Sequence, residues 1–282
     1  MADPKVWFIT GVSSGFGRSM TELLLNKGDK VIATLRRPDA LSDLSAQFPS
    51  SQLLVLQLDV TNSAEVSAAF ARAKEAFGRI DVVFNNAGQC VTGELESLSE
   101  EEARQMFEVN FWGAMHVSKE AVKFFREMNK PIGGRLLQVS SRLGLVGGPA
   151  NAFYSASKFA LEGLSESLAS ELDPAWNIKV TIIEPGPFRT KIFKENRRVA
   201  SQHPAYANPD LPSSQARQFM ASDKIDGDAD KAVVAIEKLT HLDDVPMRLP
   251  LHRRVVASTR DKIKSLTEDV NNFESWSEDL YL

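Results

Sequence analysis

Short apolar runs alternate with amphipathic stretches along this chain. Val6 to Thr10 (VWFIT) is continuously apolar, as a strand buried on both faces would be. A helical pattern with Met20, Leu23 and Leu24 follows and stops at Lys27-Gly28. Lys30 to Leu35 predicts a second strand, Ala40 to Phe48 a short helix and Leu53 to Leu58 a third strand. Asn62 with Glu65 predicts a helix start, and that helix runs to Phe77-Gly78. Asp81 to Asn85 reads as strand four, Ser99 to Glu127 as a broken helical region, and Leu136, Leu137 and Val139 as strand five. Ala156, Phe159, Ala160, Gly163, Leu164 and Leu168 mark an apolar helical stripe. Lys179 to Ile183 and Met247 to Leu251 predict further strands, with helices over Asp228 to Leu239 and Val255 to Leu266. Alternation of this kind predicts an α/β fold, a doubly wound parallel sheet of about seven strands with helices on both faces.

Two segments break the pattern. Residues 191–226 are poorly periodic and rich in Pro, Ser, Gln and Asn, which reads as a binding loop or lid, or else as a surface insertion. The acidic tail Asn271 to Leu282 carries Phe273, Trp276 and Tyr281, and docks on the body or on a partner.

Composition adds mainly exclusions. With 282 residues, 43% of them hydrophobic, one domain over residues 1–282 has enough apolar surface for a large core. A net charge of −4 gives no reason to expect nucleic acid or an anionic membrane as partner. The single cysteine, Cys90, excludes an internal disulfide and suits a reducing compartment, so a cytoplasmic location is expected. The first apolar run is too short for a signal peptide or membrane anchor, and four histidines without paired spacing argue against a metal site.

The chemistry sits where the predicted strands end. After Val6 to Thr10 comes Gly11-Val12-Ser13-Ser14-Gly15-Phe16-Gly17, then a helix. Glycines let backbone turn tightly and approach a pyrophosphate, and a helix N-terminus presents N–H groups to an anion. Strand two ends at Leu35, followed by Arg36-Arg37, where NAD-preferring folds hold a carboxylate. An arginine fork suits a 2′-phosphate, so NADP(H) is preferred to NAD(H); the alternative is a solvated pair. Asp59 bonds an adenine amino group or caps the next helix, and Asn86-Ala87-Gly88 allows backbone close to a ligand or makes a plain turn.

Tyr154 and Lys158 lie four residues apart on a predicted helix, on one face. A nearby ammonium favours the phenolate and fits the tyrosine for proton transfer. Ser141 ends the preceding strand and is placed to hydrogen-bond a substrate oxygen.

The combination T-G-x-x-x-G-x-G from Thr10, N-N-A-G from Asn85, Asn110, Ser141 thirteen residues before Tyr154, Y-x-x-x-K and P-G at Pro185 resembles the classical short-chain dehydrogenase/reductase family, over residues 5–190. The resemblance implies a single Rossmann-type domain: a cofactor-binding and catalytic core over 5–190, a substrate lid over 191–226, and C-terminal elements over 227–282. It implies that Tyr154 is the general acid in reduction and the base in oxidation. Lys158 lowers its pKa and binds the nicotinamide ribose, Ser141 polarises the substrate oxygen, and Asn110 holds a water in the relay. Gly11, Ser13, Ser14, Gly15, Phe16, Gly17 and Arg36 would hold the adenosine and phosphate end. Asp59 and Val60 would contact adenine; Asn86, Ala87 and Gly88 the ribose; Pro185, Gly186, Phe188 and Thr190 the nicotinamide. A-T-L-R from Ala33 and the stretch from Phe153 are similar to the 17β-hydroxysteroid and retinol dehydrogenase branch, which acts on hydrophobic alcohols and carbonyls. Leu143, Leu145, Val146, Phe188, Ile192 and Phe193 are expected to form an apolar wall. A homodimer or homotetramer built on the long central helices is also implied. The competing expectations are a non-catalytic NADP(H) sensor and an epimerase or dehydratase.

Overall fold

The computed structural model describes residues 3–191 and 198–282. Its centre is one sheet of seven parallel strands: β1 (Val6–Thr10), β2 (Lys30–Leu35), β3 (Leu53–Gln57), β4 (Val82–Asn85), β5 (Gly134–Val139), β6 (Ile178–Pro185) and β7 (Arg248–Leu251). Their order across the sheet is β3-β2-β1-β4-β5-β6-β7. The order reverses between β1 and β4, and such a switch point opens a crevice at the strands' carboxyl ends.

Alternate residues of β1 pack to opposite faces. Trp7 and Ile9 join one core with Met20 and Leu24 of α1 (Gly15–Lys27) and Val233 and Ile236 of a later helix. Val6 and Phe8 join another with Val66 and Phe70 of the helix after β3. The Phe8 and Phe70 rings stack 4.3 Å apart. Both faces are covered, which is why β1 reads as an unbroken apolar run.

The other helices are α2 (Ser42–Gln47), α3 (Ser63–Phe77), α4 (Glu100–Phe107), α5 (Ala114–Glu127), α6 (Ala152–Glu171), α7 (Pro212–Ala221), α8 (Ala229–Glu237) and α9 (Arg253–Phe273). Asn62 caps α3 by accepting from Ala64 and Glu65 N–H, and Ser99 with Glu102 forms a capping box for α4. Each is worth about 1 kcal/mol. The break expected between Ser99 and Glu127 is a π-helical turn, Glu108–Gly113, and Asn110 lies within it.

Two expectations are corrected, and one is filled in. The apolar stripe on α6 is not its buried face: Phe159 is 43% exposed, whereas Tyr154, Lys158, Leu161, Glu162 and Ser165 are buried. That face turns its functional groups inward, where neighbouring polar groups satisfy them. Within the expected loop or insertion, residues 198–226 carry regular elements. They form a two-residue strand, Arg198–Val199, paired with Val91–Thr92, and then α7. Arg217 of α7 grips the Glu94 carboxylate bidentately at 2.7 and 2.6 Å, which holds that carboxyl down at about pKa 2. The last helix runs past Leu266 to Phe273, and Val270 and Phe273 on this extension are exposed. Among the described residues no helix is long and apolar enough to cross a membrane.

Candidate active site

The loops after β1, β2, β3, β4, β5 and β6 open onto one cavity of about 1070 Å³. It is bounded on its far side by α7 and the start of α9.

At one end is the glycine turn. Gly11 takes φ +72°, and a Cβ there would stand 2.9 Å from the Ala87 Cα. Its N–H and that of Val12 donate to the Thr34 carbonyl, tying the turn to β2. Asn86 braces it from β4, its Nδ2 donating to the Thr10 and Gly11 carbonyls at 2.9 and 3.2 Å. Thr10 Oγ1 accepts from Asn86 and Ala87 N–H at 2.9 Å each. The two motifs are therefore one structural unit spanning the switch point. Gly11, Ser13, Ser14, Gly15 and Phe16 line the cavity, as do Arg36, Asp59, Val60, Asn86, Ala87 and Gly88. Gly17 does not. It is a packing glycine, whose Cβ would meet the Gly11 carbonyl oxygen at 2.5 Å. Asp59 lines the cavity and accepts from Thr61 N–H and Oγ1; it does not cap α3, whose N-cap is Asn62.

The middle of the cavity holds Ser141, Tyr154 and Lys158, from the end of β5 and the first turns of α6. Lys158 Nζ donates to the Val139 carbonyl at 2.9 Å and lies 5.9 Å from the Tyr154 ring centre. Burial lowers the Lys158 pKa to about 8. Burial also pushes the Tyr154 phenol up, and the Ser141 hydroxyl pulls it partly back. In this state desolvation, not the lysine charge, governs the phenol.

Asn110 is buried behind the wall. Its Oδ1 accepts from Gln89 N–H, and its Nδ2 donates to the Gln89 carbonyl and to Ser157 Oγ. A Cβ on Gly88 would stand 3.3 Å from Asn110 Oδ1 and 3.6 Å from Lys158 Nζ, so both groups border one small space. The carboxamide is carried by the π turn, an irregularity frequent at functional sites.

Pro185, Gly186, Phe188 and Thr190 complete the wall after β6. Of the expected apolar wall, Leu143 and Phe188 line the cavity and Leu145 and Val146 do not, because the turn after Ser141 points them elsewhere. Ile192 and Phe193 lie outside the described residues. The apolar surface comes instead from Pro212, Phe219 and Met220 of α7, which the sequence reading missed. Pro212, Ala216, Phe219 and Met220 recur at helical spacing, and that was the available signal. The neighbouring Ser140 also borders the cavity, and its hydroxyl donates to buried Glu162 at 2.6 Å.

A parallel sheet with this order and a glycine turn at its switch point is a Rossmann-type nucleotide-binding fold. The sequence profile described as short chain dehydrogenase matches residues 5–200. A Schizosaccharomyces pombe protein called an uncharacterized oxidoreductase is 38% identical over 264 residues, 94% of this chain and 87% of that one. A 3-ketodihydrosphingosine reductase of Bacteroides thetaiotaomicron is 38% identical over 213 residues, 74% of each. The crystal structure of a short-chain dehydrogenase from Streptomyces avermitilis superposes with a TM-score of 0.89 at 35% identity, covering 100% of both chains. This chain belongs to the short-chain dehydrogenase/reductase family and is an oxidoreductase of that family.

Proposed function

We propose that the protein is an NADP(H)-dependent oxidoreductase that interconverts an apolar ketone or aldehyde with its alcohol. The observation that carries this reading is the single cavity, with the glycine turn and Arg36 at one end and Ser141, Tyr154 and Lys158 further along it. The residues present fit a dinucleotide. Gly11, Gly15 and Gly88 keep side chains out of the wall, and Leu35-Arg36-Arg37 puts cations and no carboxylate after β2. When bound, the cofactor supplies or accepts a hydride.

In reduction, Tyr154 donates its proton to the substrate oxygen, and Ser141 Oγ hydrogen-bonds that oxygen. The Lys158 ammonium stabilises the phenolate left behind. Asn110 is a positioning residue for a water beside Lys158. In oxidation the proton runs the other way. Phe188, Phe219 and Met220 support an apolar substrate, as does the name of the Bacteroides relative. On this reading residues 5–190 are the cofactor-binding and catalytic core, and α7 is the substrate-side wall. Exposed Trp112 and Phe159, on the central helical region, support a homodimer or homotetramer. The single cysteine supports a cytoplasmic location.

The test is loss of reduced-nicotinamide absorbance with purified protein, NADPH against NADH, over a panel of apolar aldehydes and ketones. Turnover preferring NADPH is expected. Tight NADPH binding with no turnover on any carbonyl would transfer the weight to a non-catalytic sensor.

A further inference from the structure

The substrate end of the cavity carries two arginines that the proton relay does not use. Arg142 directly follows Ser141 and begins a single 3₁₀ turn, Arg142–Gly144. It is half-buried, and its guanidinium passes the Gly148 segment, 3.8 Å from where a Cβ on that glycine would stand. The guanidinium has no hydrogen-bond acceptor or carboxylate partner among the described residues. Arg254, in the first turn of α9, lines the same cavity and lays its guanidinium over the Phe219 ring at 4.4 Å. It too has no carboxylate partner among the described residues.

Two other arginines of the chain are paired with carboxylates. Arg217 is paired with Glu94, and Arg248 with Glu162, Glu166 and Glu184. Burial lowers the Arg142 pKa, and the charge of Arg254 lowers it further, so the two cations are close enough to repel. The carboxylates on the cavity wall do not relieve them. Asp59 is at the adenosine end and is held by Thr61, and Asp261 lies two turns along α9 without an ion pair to either arginine. Two guanidiniums beside an apolar surface, with no counter-charge, fit an oxyanion attached to an apolar body.

We infer that Arg142 and Arg254 form an oxyanion subsite, and that the substrate is an apolar carbonyl compound or alcohol bearing a carboxylate or phosphate group. The inference rests on the substrate end of the cavity assigned above. It names the substrate class more narrowly than the fold does.

The experiment measures binding of non-reacting probes to the NADPH-loaded protein: decanoate, decyl phosphate and 1-decanol, followed by nicotinamide fluorescence. Wild type is expected to bind at least one anionic probe about tenfold more tightly than decanol. In Arg142→Gln and in Arg254→Gln the anion-to-alcohol affinity ratio is expected to fall about tenfold. Arg254 is exposed, so its variant tests the subsite even if Arg142→Gln folds poorly. A preference for decanoate identifies a carboxylate, and one for decyl phosphate a phosphate. Anionic probes binding no better than decanol, or a ratio unchanged in the Arg254 variant, would overturn the inference. Charge-dependent probe binding without turnover of any carbonyl would leave the subsite standing and remove the proposed reaction. Turnover indifferent to substrate charge would do the reverse.

Discussion

The ammonium of Lys158 donates to the carbonyl of Val139, 2.9 Å away, so the lysine is fastened to the end of β5. This bond holds the charge under the Tyr154 ring, and burial brings its pKa to about 8. Below that pH the lysine is charged, and above it the charge is lost. In the proposed reduction, kcat/KM is expected to be level at lower pH and to fall above about pH 8. A kcat/KM–pH profile checks this; an unchanged rate at pH 10 would separate the lysine charge from catalysis.

Tyr154→Phe removes the proton donor while leaving the ring that packs with Val91 and Met106. Turnover is expected to fall by about 10²–10⁴-fold or more. NADPH affinity should stay within a small factor of wild type. Steady-state kinetics together with fluorescence titration test both halves, and full activity would sink the proposed relay.

Arg36→Leu is expected to weaken NADPH binding about tenfold more than NADH binding, because only the former offers a 2′-phosphate to a guanidinium. The readout is the ratio of dissociation constants by titration. An equal loss for both cofactors would reject the assignment of Arg36.

Glu184 is fully buried at the end of β6, 3.0 Å from Arg248 Nε, yet neither of its oxygens has an aligned hydrogen bond. Burial and the charge of Glu162 raise its pKa to about 7, outweighing Arg248. The folded state then holds a proton that the unfolded chain releases near pH 4.5. Stability contributed by this group therefore falls as pH rises from about 4.5 to 7 and is flat above that. The expected change is on the order of 3 kcal/mol. Glu184→Gln should flatten the pH dependence and be relatively more stable at pH 8 than at pH 5. Urea unfolding at the two pH values measures it, and an identical pH slope in the variant would count against the assignment.

Much of the fold was legible because a sheet buried on both faces leaves unbroken apolar runs, as Val6 to Thr10 does. The candidate site was legible for a related reason. In such a sheet, ligand-facing residues follow the strand ends, so Gly11, Arg36, Asp59, Gly88, Ser141 and Gly186 came from that rule and lie on one cavity. The stripe on α6 misled because periodicity reports which residues share a face, not which face is covered. Its more polar face turned inward, carrying Tyr154, Lys158 and Glu162.

By itself, then, the sequence determined the order of elements, the glycine turn and the pairing of Tyr154 with Lys158, all consequences of local spacing. Only the tertiary structure decided what covers the far side of the cavity. The Arg217–Glu94 pair, 123 residues apart in sequence, brings α7 over the site. The start of α9 sets Arg254 close enough to Arg142 for their charges to repel. Contacts between segments so distant in sequence leave no periodic trace, because each depends on where the whole sheet delivers its partner.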